Sequence, residues 1–179
     1  METTKTKWVI DPVHSEIAFK VKHLMISNVK GTFKEFDATV YTDGDDFSTA
    51  AIEFSLKPAS IQTGNPDRDG HLQSADFFDV ANFDLITFKS NSLKHIDDEE
   101  YELNGAMTIK GVTKEVKLEV EFGGIAKDPW GNSKAGFTLN GKINRKDWDL
   151  IWNAALEAGG VLVGEEVKLN CEVQLLKQS

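Results

Sequence analysis

The side chains best able to do chemistry fall in one irregular stretch, Ile61 to Asp84. Arg68, Asp69 and His71 stand close together there, followed by the aromatic pair Phe77 and Phe78. Such a group offers two kinds of chemistry. The arginine fork matches carboxylate and phosphate, so Arg68 with His71 suits a polar or anionic head group. His71 with Asp69 is also an acid–base candidate. A structural role stands beside both, an Arg68–Asp69 ion pair tying the loop to a neighbouring rim. Phe77 and Phe78 read either as core or as ligand contacts.

The remaining reactive residues are sparse. His14 has Asp11 and Ser15 beside it, but these three are too close in sequence to take triad roles without a special turn. No Gly-x-Ser-x-Gly elbow, P-loop or Gly-x-Gly-x-x-Gly fingerprint occurs. The histidines are His14, His23, His71 and His95, with no metal-ligand spacing between them, and Cys171 is the single cysteine. No catalytic residue, metal or resident cofactor is assigned.

Composition narrows the classes further. At 179 residues, 40% hydrophobic and 27% charged, the chain fits one ordinary globular domain, residues 1–179. A formal charge of −9 with no basic cluster argues against nucleic acid and against an anionic membrane surface. No apolar run reaches the roughly 20 residues of a membrane helix. The polar start, Met1 to Lys7, shows no apolar leader, which predicts the cytoplasm, or the periplasm if a leader has been trimmed.

The elements that must position these residues are strands. Ile17, Phe19, Val21 and His23 alternate with Glu16, Ala18, Lys20 and Lys22. Val167, Leu169, Cys171, Val173 and Leu175 alternate with Glu166, Lys168, Asn170, Glu172 and Gln174. About eight such strands follow one another, each with one apolar and one polar face. Lys34-Glu35 interrupts one of them like a bulge, and Asp97 to Glu100 reads as an acidic hairpin loop. Helical spacing appears only near Pro66–Ser74 and Asn153–Ala158, the latter ending at Gly159-Gly160.

A closed antiparallel barrel or a two-sheet sandwich satisfies this pattern, and the long strands favour an up-and-down barrel. A barrel of eight strands either fills with side chains or holds one small ligand. Its inward face carries Phe19, Phe36, Phe54, Phe88, Met107 and Phe137, but also small Ala38, Ala135 and Gly141. That mixture fits an elongated cavity as well as it fits jigsaw packing.

Several blocks resemble the YceI-like family. These are Trp8-Val9-Ile10-Asp11-Pro12-Val13-His14-Ser15 with Phe19 and His23, and Ile61-Gln62-Thr63 with Arg68-Asp69, His71-Leu72 and Asp76-Phe77-Phe78-Asp79. Met107 to Lys114, Ile143 to Trp148 and Gly159 to Gly164 continue the resemblance, in order, along nearly the whole chain. The resemblance implies an all-β, eight-stranded, lipocalin-like barrel with one or two short helices in its loops. It implies a long pore that binds polyisoprenoids, isoprenoid quinones or fatty amides, and a homodimer; the absent catalytic motifs add the expectation that no chemistry is performed.

The expected sites follow. Phe19, Phe36, Phe54, Phe77, Phe88, Met107, Phe137 and Trp152 are expected to line the pore, with Arg68, His71 and His23 at its mouth. Trp148 and Trp152 are expected either to cap the end opposite Arg68 or to border the cavity. Arg145 and Asp147, two apart on a strand, suggest an ion pair closing one end. The partner is a long apolar small molecule; an enzyme using His71 and Asp69, or a filled structural barrel, is the alternative.

Overall fold

In the computed structural model, residues 5–24, 26–153 and 163–178 are described. The strands in order are β1 (Lys5–Ile10), β2 (Glu16–His23), β3 (Ser27–Phe33), β4 (Phe36–Asp43), β5 (Asp46–Leu56) and β6 (Ile61–Gln62). They continue with β7 (Ile86–Asp97), β8 (Glu100–Ile109), β9 (Val112–Lys127), β10 (Ser133–Asn144) and β11 (Val163–Lys177). The helix α1 (Pro66–Gln73) lies between β6 and β7. The expected helix at Asn153–Ala158 lies, beyond Asn153, outside the described residues.

Eleven segments make eight strands, because the first three strands are each broken in two. β1 and β2 flank a 3-10 turn at Pro12–His14, and β5 and β6 flank another at Pro58–Ser60. Proline has no N–H to give a ladder, so each forces a step out of the sheet. The break between β3 and β4 falls at Lys34-Glu35, whose amides both donate to Ser60 Oγ, at 3.1 and 3.0 Å.

Joined this way, the sheet runs β1/β2, β3/β4, β5/β6, β7, β8, β9, β10, β11, every neighbour antiparallel. β11 then closes the ring, pairing Leu169 with Phe19 of β2 and Leu175 with Ile10 of β1. The result is a closed, eight-stranded up-and-down barrel. Closure removes the free edges that would otherwise template aggregation.

The connections set two unlike ends. One end holds the turns 43–46, 97–100 and 127–133. The other holds the β2–β3 hairpin tip, the 63–85 loop with α1, the Lys110-Gly111 turn and the segment after β10. Lys110 and Gly111 both have positive φ, 52° and 76°, as a two-residue hairpin turn requires.

The Asp11–His14–Ser15 cluster is architectural. Asp11 Oδ2 lies 2.8 Å from His14 Nδ1 and 3.0 Å from Lys134 Nζ, while Ser15 Oγ accepts from Gln174 N at 3.0 Å. Burial alone would raise the Asp11 pKa, but the bonds from His14 and Lys134 outweigh it and hold the carboxyl below its usual value.

Candidate functional site

The barrel is hollow. A cavity of about 580 Å³ runs along its interior. That volume falls within the range of small-molecule sites. Its wall is built from the inward residues of every strand, including Val167, Leu169, Cys171, Val173 and Leu175 of β11. From Val167 to Leu175 the strand covers about 26 Å, or about 20 Å along the axis after barrel tilt.

One end is plugged by aromatic rings. Phe47 sits 5.0 Å from Trp8, 5.2 Å from Phe122 and 4.9 Å from Phe137, centroid to centroid. Phe122 stacks on Phe137 at 5.0 Å. Trp8 is fully buried, and its indole N–H donates to Thr42 Oγ1 at 3.0 Å, so the ring is fixed. The cavity therefore ends in a rigid floor.

The other end carries all the charged and imidazole side chains of the lining: Lys22, His23, Asp67, Arg68, His71 and Arg145. Here α1 is set by Asn65, whose side chain accepts from the amides of Asp67 and Arg68 at 3.0 and 3.2 Å. Pro66 at the first helical position suits this start. The helix brings Arg68, His71 and Leu72 to the cavity mouth.

The expected Arg68–Asp69 ion pair is not formed. Both side chains instead grip Thr63. Arg68 Nε donates to Thr63 Oγ1 at 2.8 Å and Nη2 donates to the Thr63 carbonyl at 2.7 Å. Asp69 Oδ1 accepts from Thr63 N at 2.9 Å and from its hydroxyl at 2.5 Å. Neighbours on a helix point apart, and one threonine with three polar groups served both. His71 likewise pairs with Asp76 at 2.9 Å, not with Asp69, which removes the geometry for the expected acid–base pair.

His71 also belongs to an aromatic cluster. Its ring meets Trp152 edge-on at 4.7 Å and Phe77 at 5.1 Å, and Phe77 lies 5.4 Å from Trp152. Trp152 thus borders the cavity at the same end as Arg68. Trp148 is buried at this end as well, donating its indole N–H to Met107 O at 2.9 Å, so neither tryptophan caps the opposite end.

Arg145 departs furthest from expectation. It belongs to a 3-10 turn, Arg145–Trp148, and is only 3% exposed. Its guanidinium touches no carboxylate within ion-pair distance among the described residues. It donates instead to four backbone carbonyls: Gly164 at 2.8 Å, Leu150 at 2.5 Å, Trp152 at 2.9 Å and Val163 at 3.3 Å. Burial pulls its pKa down from the arginine value, and nearby Glu165 offsets part of that. The fork clamps the loop after β10 to the start of β11, where the β2–β11 ladder is irregular between Val163 and Val167.

Of the residues expected in the pore, Phe19, Phe54, Phe77, Phe88, Met107, Phe137 and Trp152 contribute to the cavity wall, and Arg68, His71 and His23 stand at its mouth. Phe36 does not reach the wall; it packs against the surrounding core, beside the strand break. Phe47, which carries the floor, lies outside that expected set. Cys171 faces the cavity midway along β11, and burial pushes its thiol up to about 11, so it is protonated and a poor nucleophile at neutral pH.

Among the described residues no group of three or more His, Cys, Asp or Glu could hold a metal ion, and no helix is long and apolar enough to cross a membrane. The profile of the YceI-like domain matches residues 8–175. A UPF0312 protein of Staphylococcus aureus (strain N315) is 42% identical over 170 residues, covering 94% of this chain and 96% of its own. A crystal structure of the Campylobacter jejuni YceI protein superposes with a TM-score of 0.76 at 37% identity, over 88% of this chain and 90% of that one. A polyisoprenoid binding domain from Saccharophagus degradans shares the fold at 13% identity, with a TM-score of 0.70 over 96% of this chain and 98% of that one.

Proposed function

Because the chain belongs to the YceI-like family, we propose that it binds and carries or stores an elongated apolar lipid inside the barrel, without performing chemistry on it. The observation that carries this reading is the cavity itself: long, apolar along its walls, floored by aromatic rings and polar only at its mouth. The ligand class is polyisoprenoid-type, isoprenoid quinones included, with fatty amides as the straight-chain alternative. The Saccharophagus degradans domain, described as polyisoprenoid binding, has the same barrel and agrees with this reading.

Each 100 Å² of lipid surface taken from water contributes about 2.5 kcal/mol, so burial alone can hold a chain in such a wall. The polar groups at the mouth then orient the head. No nucleophile accompanies the His71–Asp76 pair in this reading: Ser15 Oγ is bonded to Gln174 at the strand break, and the Cys171 thiol, midway along the wall, stays protonated.

Arg68, His71 and His23 are the head-group residues of this reading. Arg68→Ala should weaken a polyprenyl phosphate by about tenfold and a neutral quinone by less than about threefold, measured side by side by fluorescence displacement. His71→Ala should lower both modestly. The ratio between ligands is the readout, since mere loosening of the α1 loop would lower both alike. Equal losses for the two ligands would remove Arg68 from head-group recognition.

A further inference from the structure

An eight-stranded barrel has a lumen that ordinary side chains would fill. This one stays open partly because large inward side chains lie flat against bare backbone. Phe19 of β2 lies over Gly31 of β3, its cross-strand partner. A Cβ placed on Gly31 would stand 2.3 Å from Phe19 Cζ and 2.5 Å from its Cε1. Leu118 of β9 lies over Gly141 of β10 in the same way, with Cδ2 2.3 Å from the position a Cβ would take. Phe19 and Leu118 are both wall residues of the cavity.

The neighbours met at Gly31 are ring atoms of Phe19, and the closest one at Gly141 is the tip of Leu118. A methyl group there must therefore turn the large side chain away from the wall. The strand backbone lies behind it, so the direction left is the lumen. Gly105 is different, because a Cβ there would also meet the Lys89 carbonyl at 2.5 Å. Alanine at Gly105 would strain the backbone itself.

We infer that Gly31 and Gly141 are specificity-determining positions that keep the bore wide enough for a methyl-branched, isoprenoid chain. A straight acyl chain needs less width and gains less from it. This rests on the lipid-carrier reading and names the shape of chain that the carrier selects.

The test compares a polyprenyl alcohol with a straight-chain alcohol of matched length, binding to the wild-type protein and to Gly31→Ala and Gly141→Ala. Wild type should prefer the branched chain. Each alanine should weaken the branched chain by about tenfold or more while changing the straight chain by less than about threefold. Gly31→Ala combined with Phe19→Leu should restore the branched chain, and the straight chain, nearly unchanged in every variant, shows that recovered stability is not the cause. Should single variants fail to fold, the double variant and the wild-type preference still decide the matter. Equal loss for both chains, no rescue, or a wild-type preference for the straight chain would overturn the inference while leaving the carrier intact. If neither alcohol binds the wild type, the carrier reading itself fails.

Discussion

Cys171→Trp should abolish lipid binding and leave the barrel folded. Cys171 sits midway along the cavity wall, opposite Leu139 on β10 and Ile17 on β2, and its partly buried side chain faces the lumen. An indole there projects into the space a lipid chain must thread. Affinity should fall by about 100-fold or more, since the chain loses burial along everything beyond the block. The melting temperature separates this from ordinary damage. In a filled interior, forcing in so large a group costs about 1–3 kcal/mol. In a hollow one the ring fills space, and the melting temperature should stay within about 2–4 °C, the shift that 1 kcal/mol gives at this size. A large fall in stability would indicate a packed interior. Retained tight binding would place the lipid elsewhere.

The second large effect concerns the mouth. Arg145→Ala should destabilise the protein by about 3 kcal/mol, lowering the melting temperature by about 6–12 °C. Four carbonyls accept from this one buried guanidinium, and alanine takes that donor from Gly164, Leu150 and Trp152 at a place water reaches poorly, while Val163 O keeps the Asn153 side-chain amide at 2.7 Å. Arg145→Lys should recover little, because an ammonium is a point donor and cannot span four acceptors in a plane. Since the clamp also positions Trp152 against His71, bound lipid should leave the variant faster. Thermal unfolding and a dissociation time course check the two parts. An unchanged melting temperature would mean that water replaces the guanidinium at no cost.

Much of this fold is legible in the alternation of residues. Ile17, Phe19, Val21 and His23 share a face in the sequence, and all four line the cavity. Val167 through Leu175 do the same on β11. Alternation fails where the ladder is irregular. Phe47 is out of phase with Ile52, Phe54 and Leu56, and only the register shift between Tyr41 and Asp43 turns it inward to form the floor. Leu93 is out of phase with Ile86 and Phe88 for a like reason, the irregularity between Ser90 and Ser92. A residue count cannot reveal such a shift, because it depends on how two strands meet.

The polar residues were legible as a group but not as partners. Arg68, Asp69 and His71 do gather at one end of the barrel, yet each bonds to a residue other than the neighbour that sequence pairs it with. Arg145 is the sharper lesson. Its carboxylate neighbour in the sequence, Asp147, suggests an ion pair, whereas the unmet need at that corner is for donors to backbone carbonyls. Unsatisfied backbone is a property of a loop's path, which no side-chain pattern records.

The most direct test of the account is native mass spectrometry of the freshly purified protein, followed by organic extraction and identification of what is released. A stoichiometric lipid of isoprenoid shape is expected on the wild-type protein. A clean unliganded mass that cannot be loaded with polyprenyl lipids or quinones would contradict it.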